Sequence, residues 1–378
     1  MMTHRERYLA TMAGRPADRA PDYEFGAWDQ TYPRWHAEGL PATVTGCDEG
    51  IMRWFHTDEE AFGIVPWVDV GLVPGFAWEV LETRGDHEIM IDNDGATVER
   101  MRPELGASIP RYVRYAIETR RDWERIRDGR LRLGDPHRVP ANLDAACAAS
   151  HGAEYPVVLG SGSLYGWIRN WMGVERLSET LYEDPAWIEE MMEHLTLLML
   201  DGYARLAGRC RIDASHWWED MCFKNGPLMS PAMVARLMVP RYRRVTEFLR
   251  HECGCDHHMV DCDGRINDLA RLWLEGGVNI MFPLEVPHTD MAALVRDQAA
   301  HRSPGGARMA LRGGFDKRAL IEGPTAIDRE FTRLAPFLAA GGFIPHTDHR
   351  VPPDVSLANY RYYRRTKCAL LGKPYREG

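Results

Sequence analysis

No apolar run in this chain approaches the roughly 20 residues needed to span a bilayer. The longest, Leu195 to Leu200, belongs to an amphipathic helical pattern. The start, Met1-Met2-Thr3-His4-Arg5-Glu6-Arg7, lacks the apolar core of a signal peptide, so the expected location is cytoplasmic. Excess positive charge is missing too. A formal charge of -9 and a pI of about 5.9 argue against a nucleic-acid surface. Eight cysteines in 378 residues are too few for a disulfide framework, and in a cytoplasm they are expected to be reduced. Internal repeats, low-complexity tracts and long Gly/Ser linkers are absent. No Gly-x-Gly-x-x-Gly follows a strand, which weakens a dinucleotide-binding sheet. No Ser-His-Asp nucleophile pattern is visible.

What the chain does have is a hydrophobic share of 45%, enough for a large core. Residues 1–150 read as an N-terminal part. Thr3 caps a first helix with Glu6 completing a capping box, and 20–25 is a short strand-like run. A β-hairpin over 86–101 turns at Asp92-Asn93-Asp94-Gly95. From Tyr155 onward strands and helices alternate. The strands lie near 155–159, 211–216, 258–260, 278–282, 308–311 and 342–346. Helices between them imply parallel pairing through right-handed crossovers. A single (β/α)8 TIM-type barrel with an N-terminal helical and hairpin elaboration is the economical closure over 1–378. An open doubly wound sheet is the competitor. A large barrel with 12 Trp often has an apolar face to bury in a homodimer.

In a barrel the strand ends converge on one mouth. Here they bring Glu219, Asp220, Asp261, Asp263, Glu285, Asp316, His346, Asp348 and His349. So many carboxylates close together invite a cation. In Asp261-Cys262-Asp263-Gly264 the two carboxylates point the same way if the segment is extended. Asp261, Asp263 and His349 are therefore the expected ligands of a divalent metal, with zinc the expected ion. Glu219, Asp316 and His349 are the expected catalytic groups. Tyr165, Arg169, Lys224, His346 and Arg350 are the expected substrate contacts. Cys253-Gly254-Cys255-Asp256-His257-His258 lies before a strand, on the opposite face, and reads as a helix-end turn.

Several motifs resemble the uroporphyrinogen decarboxylase superfamily. They are Arg5-Glu6-Arg7-Tyr8-Leu9-Ala10, Gly162-Ser163-Leu164-Tyr165-Gly166-Trp167 and Glu219-Asp220-Met221-Cys222-Phe223-Lys224-Asn225-Gly226-Pro227. Gly313-Gly314-Phe315-Asp316-Lys317-Arg318 and Asp348-His349-Arg350-Val351-Pro352-Pro353 complete them. The resemblance implies a TIM-type barrel and one of two chemistries: decarboxylation of a porphyrinogen, or zinc-dependent methyl transfer linked to cobalamin. The decarboxylases carry an arginine-rich N-terminal segment. Here Asp22-Tyr23-Glu24-Phe25-Gly26-Ala27-Trp28-Asp29 is acidic and aromatic, which argues against true uroporphyrinogen decarboxylase activity. The methyltransferases' His-x-Cys pair and last Cys fall by position on Asp261, Asp263 and His349. Oxygen and nitrogen thus replace sulfur, a harder donor set and a poorer one for activating a thiol. The expected function is a metal-dependent methyltransferase-like enzyme for a small substrate, with a corrinoid on a separate protein. The alternatives are a decarboxylase or lyase on a small acid, and a non-catalytic barrel that binds a corrinoid or tetrapyrrole.

Overall fold

The computed structural model describes residues 1–46, 49–58, 68–102 and 110–378. The first helix is His4–Met12, with the expected Thr3–Glu6 capping box. The expected hairpin is present and larger than the turn alone indicates. Four antiparallel strands, β1 (Glu79–Arg84), β2 (His87–Ile91), β3 (Thr97–Met101) and β4 (Arg111–Arg114), pair in sequence order. Helices Arg120–Arg130 and Leu143–Gly152 follow.

The main sheet holds six parallel strands. They are β5 (Val158–Gly162), β6 (Ala214–Trp218), β9 (His257–Asp261), β10 (Ile280–Phe282), β11 (Ala310–Phe315) and β12 (Phe343–Thr347). A two-strand hairpin, β7 (Cys222–Phe223) and β8 (Gly226–Pro227), sits between β6 and β9 in the chain. The spatial order is β12-β11-β10-β9-β6-β5. Helices separate the main strands, as parallel pairing requires. The chain is therefore mixed α/β, but the sheet is not the closed ring of a barrel. Among the described residues no strand pairing joins β5 to β12. The strand-like run at 20–25 is not a strand. The contact of its far end is a single parallel bridge from Ala27 to Val351.

Strict alternation gives the sheet two faces. Leu159, Trp217, Val260, Met281, Leu311 and Phe343 join the large core packed by helices. Val158, Ala214, Met259, Ile280, Ala310 and Ile344 face the other way. They form a second cluster with Tyr8 and Met12 of the first helix and with Tyr23. This inner face is where an acidic, aromatic segment is folded back. Tyr23 and Phe25 of that segment pack on this face, while Asp22 and Glu24 alternate with them and are buried against Arg364 and Lys367 of the last helix, Leu357–Leu370.

Two further differences from expectation have clear causes. The helix expected over 230–251 is two helices, Pro231–Leu237 and Val239–Cys253, with Pro240 in the first turn of the second. The second ends at Cys253, and Gly254 adopts the left-handed conformation of a helix stop. Cys253 and Cys255 thus lie before β9, on the face away from the site. Cys147 and Cys210 are joined by a disulfide, where reduced thiols were expected. No helix among the described residues is long and apolar enough to cross a membrane.

Candidate functional site

The polar side chains of the inner face begin where its apolar layer ends. Two residues beyond Ala214, Met259, Ala310 and Ile344 stand His216, Asp261, Arg312 and His346. Phe282 takes the matching place on β10. Each side chain follows from period-two alternation along its own strand. Asp220, Asp263 and His349 come from the loops just beyond.

These groups pair off. His216 Nε2 lies 3.6 Å from Asp261 Oδ2, an ion-pair distance longer than a hydrogen bond. His349 Nε2 lies 3.3 Å from Asp263 Oδ2. The backbone N–H of Arg350 donates to His349 Nδ1 at 2.8 Å, so the proton of the neutral ring sits on Nε2 and faces Asp263. Arg169 Nη2 stands 3.5 Å from Asp220 Oδ2 and its guanidinium covers the Trp218 ring. Burial pushes the Asp261 carboxyl above its usual range. His216 opposes the shift, while Asp263 and Asp220 add to it. Asp220 is raised likewise by burial and then by Asp263.

Aromatic rings line the other walls. Phe25 sits 4.7 Å from Phe282 and 5.3 Å from His349 between ring centroids. Trp28 stacks on His349 at 5.4 Å, and Arg350 covers Trp28. The rim is open: Trp28 is 39% exposed.

The expected residues fare differently. Asp261, Asp263 and His349 gather at the mouth, but as members of separate pairs. Among the described residues no three His, Cys, Asp or Glu side chains converge so as to hold a metal ion. Arg169 and Arg350 reach the rim. Tyr165 is fully buried, its hydroxyl has no hydrogen-bond partner, and burial pushes it up to about 12. Lys224 is exposed on the β7–β8 hairpin over the Phe223 ring. Asp316 is clamped by Arg318, whose Nη2 lies 2.6 Å away. Burial would raise that carboxyl, but Arg318 outweighs it and holds it low. Asp316 is thus a loop anchor rather than a free acid. Asp348 is buried and accepts from the N–H groups of Val286 and Lys317, with burial pushing it up to about 6.

Glu219, expected as a catalytic acid, is a buried staple. Its carboxylate accepts from Tyr242 Oη at 2.7 Å, Ser163 Oγ at 2.8 Å, Tyr165 N at 2.8 Å and Leu164 N at 3.0 Å. It ties the end of β6 to the turn after β5 and has no exposed surface. Glu219→Gln puts an amide NH2 against donors that need an acceptor. The expected loss of stability is about 2–4 kcal/mol, read from denaturant midpoints. An unchanged midpoint with lost activity assigns Glu219 a chemical role instead.

His216, Arg312, Phe25 and Phe282 were not expected at the site. The signal for the three strand residues was present: each stands at the next same-face position after an inner apolar residue.

No family model matches the chain, and no curated protein matches it. Among solved structures it is similar to a methyltransferase from Methanosarcina mazei, at 13% identity. The match covers 98% of this chain and 100% of that one, with a TM-score of 0.57. At that identity the likeness concerns the fold.

Proposed function

We propose that this chain is a methyltransferase-like enzyme of the uroporphyrinogen decarboxylase superfamily, with its site on the inner face of the parallel sheet at the strand ends. The observation that carries the reading is the pair of imidazole–carboxylate couples, His216–Asp261 and His349–Asp263, at the end of the sheet where strands run out into loops. The likeness to a methyltransferase over nearly the whole chain supports it.

Moving a methyl group off a heteroatom leaves that atom needing a proton, and moving one onto it releases a proton. Asp261 with His216 is built to give or take it, since a carboxyl raised above its usual range is a usable acid nearer neutral pH. His349 donates toward Asp263 and keeps that carboxylate oriented. Phe25, Phe282 and Trp28 supply an apolar wall that keeps water from a small substrate.

A corrinoid on a separate protein is the proposed methyl carrier; when bound, it supplies a cobalt that exchanges methyl groups with a nucleophilic atom. The open rim at Trp28 and Arg350 fits the approach of such a partner. The donors do not converge as a zinc site requires: Asp261 faces His216 and Asp263 faces His349, so a shared ion needs both couples opened.

The experiment is methyl exchange between methylcobalamin and small acceptors, followed by the corrinoid's absorbance, with and without prior EDTA treatment. Chelation is expected to leave the rate within about a factor of two, since no protein metal centre is lost. A rate abolished by EDTA and restored by zinc means that Asp261, Asp263 and His349 rearrange around a metal.

A further inference from the structure

We propose that Cys222 and Cys262 form a second, reversible disulfide beside the mouth, a site of oxidative modification that ties the β7–β8 hairpin to the loop carrying Asp261 and Asp263. The cross-link does not depend on the proposed reaction; its effect on turnover does.

Two stretches run side by side here. Residues 219–223 leave β6 and enter the hairpin, and residues 262–265 leave β9. The backbone N–H of Glu219 donates to the Asp261 carbonyl at 2.9 Å, and that of Arg265 donates to the Phe223 carbonyl at 3.0 Å. Between these bonds the Asp263 N–H donates to Asp220 Oδ1 at 3.3 Å. The Met221 N–H donates to Cys262 Sγ, also at 3.3 Å. Gly264 lets the stretches close. A Cβ there would stand 2.9 Å from the carbonyl carbon and oxygen of Cys222, and its φ of +81° suits glycine.

Cys222 and Cys262 meet within this ladder. Both are free thiols, and their side chains hydrogen-bond to each other. Their access differs. Cys262 is 1% exposed and Cys222 9%, next to Phe223, which is 58% exposed on the hairpin. Cys222 is thus the thiol that a small oxidant reaches, and Cys262 the one that resolves the product. The oxidant is a peroxide. The Cys222 sulfur takes one oxygen of hydrogen peroxide as the O–O bond breaks, giving a sulfenic acid and water. The Cys262 sulfur then attacks the Cys222 sulfur and the S–O bond breaks. The sulfenic oxygen leaves as water with the Cys262 proton. Two thiols and one peroxide become one disulfide and two waters.

The bond reshapes the mouth. Its sulfurs must come to about 2.05 Å. Cys262 Sγ then gives up the Met221 N–H and the Asp263 carbonyl, to which it donates at 3.4 Å. Cys262 stands between Asp261 and Asp263 in the chain. As it turns, both carboxylates lose the placement that sets them against His216 and His349.

Peptide mass spectrometry of the folded full chain tests this. The protein is treated with hydrogen peroxide, remaining thiols are alkylated, and digestion follows without reductant. A Cys222–Cys262 linked peptide is expected as the main new cross-link. It is expected to disappear with dithiothreitol and to be absent from Cys222→Ala. Linkage of either cysteine to a different one, or sulfinic acid at Cys222 with Cys262 still a thiol, overturns the proposal. So do two thiols left unreacted, or a pair that forms only in denaturant. Methyl exchange by the oxidised native chain is expected to fall about 10-fold or more, as a displaced catalytic group requires, and exchange by treated Cys222→Ala is expected to hold. Undiminished exchange in the linked protein overturns the effect on turnover. If the chain shows no exchange at all, the linked peptide alone decides the site.

Discussion

Asp261→Asn is expected to lower methyl exchange by about 10²–10⁴-fold, the range that a positioned acid–base group contributes, while leaving the fold intact. The asparagine keeps the shape of the side chain but cannot carry the proton. His216 then faces a neutral amide, and Asp263 loses a like-charged neighbour. Relief of that repulsion means stability should hold or rise slightly, so lost turnover cannot be blamed on unfolding. The direction with pH follows from the same geometry. Burial, with repulsion from Asp263 and Asp220, raises the Asp261 carboxyl. If its acid form is needed, the rate falls as pH climbs through that raised value; if its base form is needed, the rate rises there. In either case the inflection lies above the ordinary aspartate value of about 3.9 and is absent in the variant. A variant with native turnover removes Asp261 from the chemistry.

Arg364→Met is expected to cost about 3–5 kcal/mol of stability, the scale of breaking a buried ion pair from one side. Arg364 Nη1 and Nη2 bind the two oxygens of Asp22 at 2.8 and 2.7 Å, and Arg364 also meets Glu24. Lys367 Nζ lies 2.8 Å from Glu24, and Lys373 Nζ lies 2.7 Å from Asp22. Arg364, Lys367, Asp22 and Glu24 are all buried, so the deleted charge leaves two carboxylates without their main partner. The network joins the segment that carries Phe25 and Trp28 to the last helix, and its loss should loosen the aromatic wall as well. Acid should act in the same direction. Burial alone would raise Asp22, but Arg364 and then Lys367 outweigh it and hold the carboxyl far below its usual range. A depressed folded value gives stability that is present above the unfolded value near 3.9. That contribution is lost as pH falls below about 4. Denaturant unfolding of both forms at neutral pH, and of the native form from pH 6 downward, checks this. A cost under about 1 kcal/mol would put the pair in the class of exposed ion pairs.

The parts of this architecture that were legible in the sequence are those set by local pattern. The Thr3–Glu6 capping box, the Asp92–Gly95 turn and the strand–helix alternation after Tyr155 each rest on neighbours in the chain. Strand positions held to within a few residues, because apolar runs mark the buried stretch but not its hydrogen-bonded ends. Register across strands was not legible. It sets Met259 beside His216 and Asp261 beside Trp218; the side chains then meet as His216–Asp261 and His349–Asp263, where residue type alone grouped both aspartates with His349. Glu219 shows the same limit. A carboxylate after a strand looks like an acid for chemistry until the turn at Ser163 to Tyr165 closes over it. The burial of the acidic segment at 22–29 was not legible for a further reason: its partners Arg364 and Lys367 lie more than 300 residues away in sequence. The closing helix Leu357–Leu370 that carries them also went unread.

The most direct test of the central claim is transfer of a ¹³C-labelled methyl group from methylcobalamin to a pool of small acceptors, read by carbon NMR. Native protein is predicted to produce a new methyl resonance, and the Asp261→Asn and His349→Gln variants to produce little or none. No new resonance with the native protein, or equal resonances from native and variant forms, would contradict methyl transfer at this mouth.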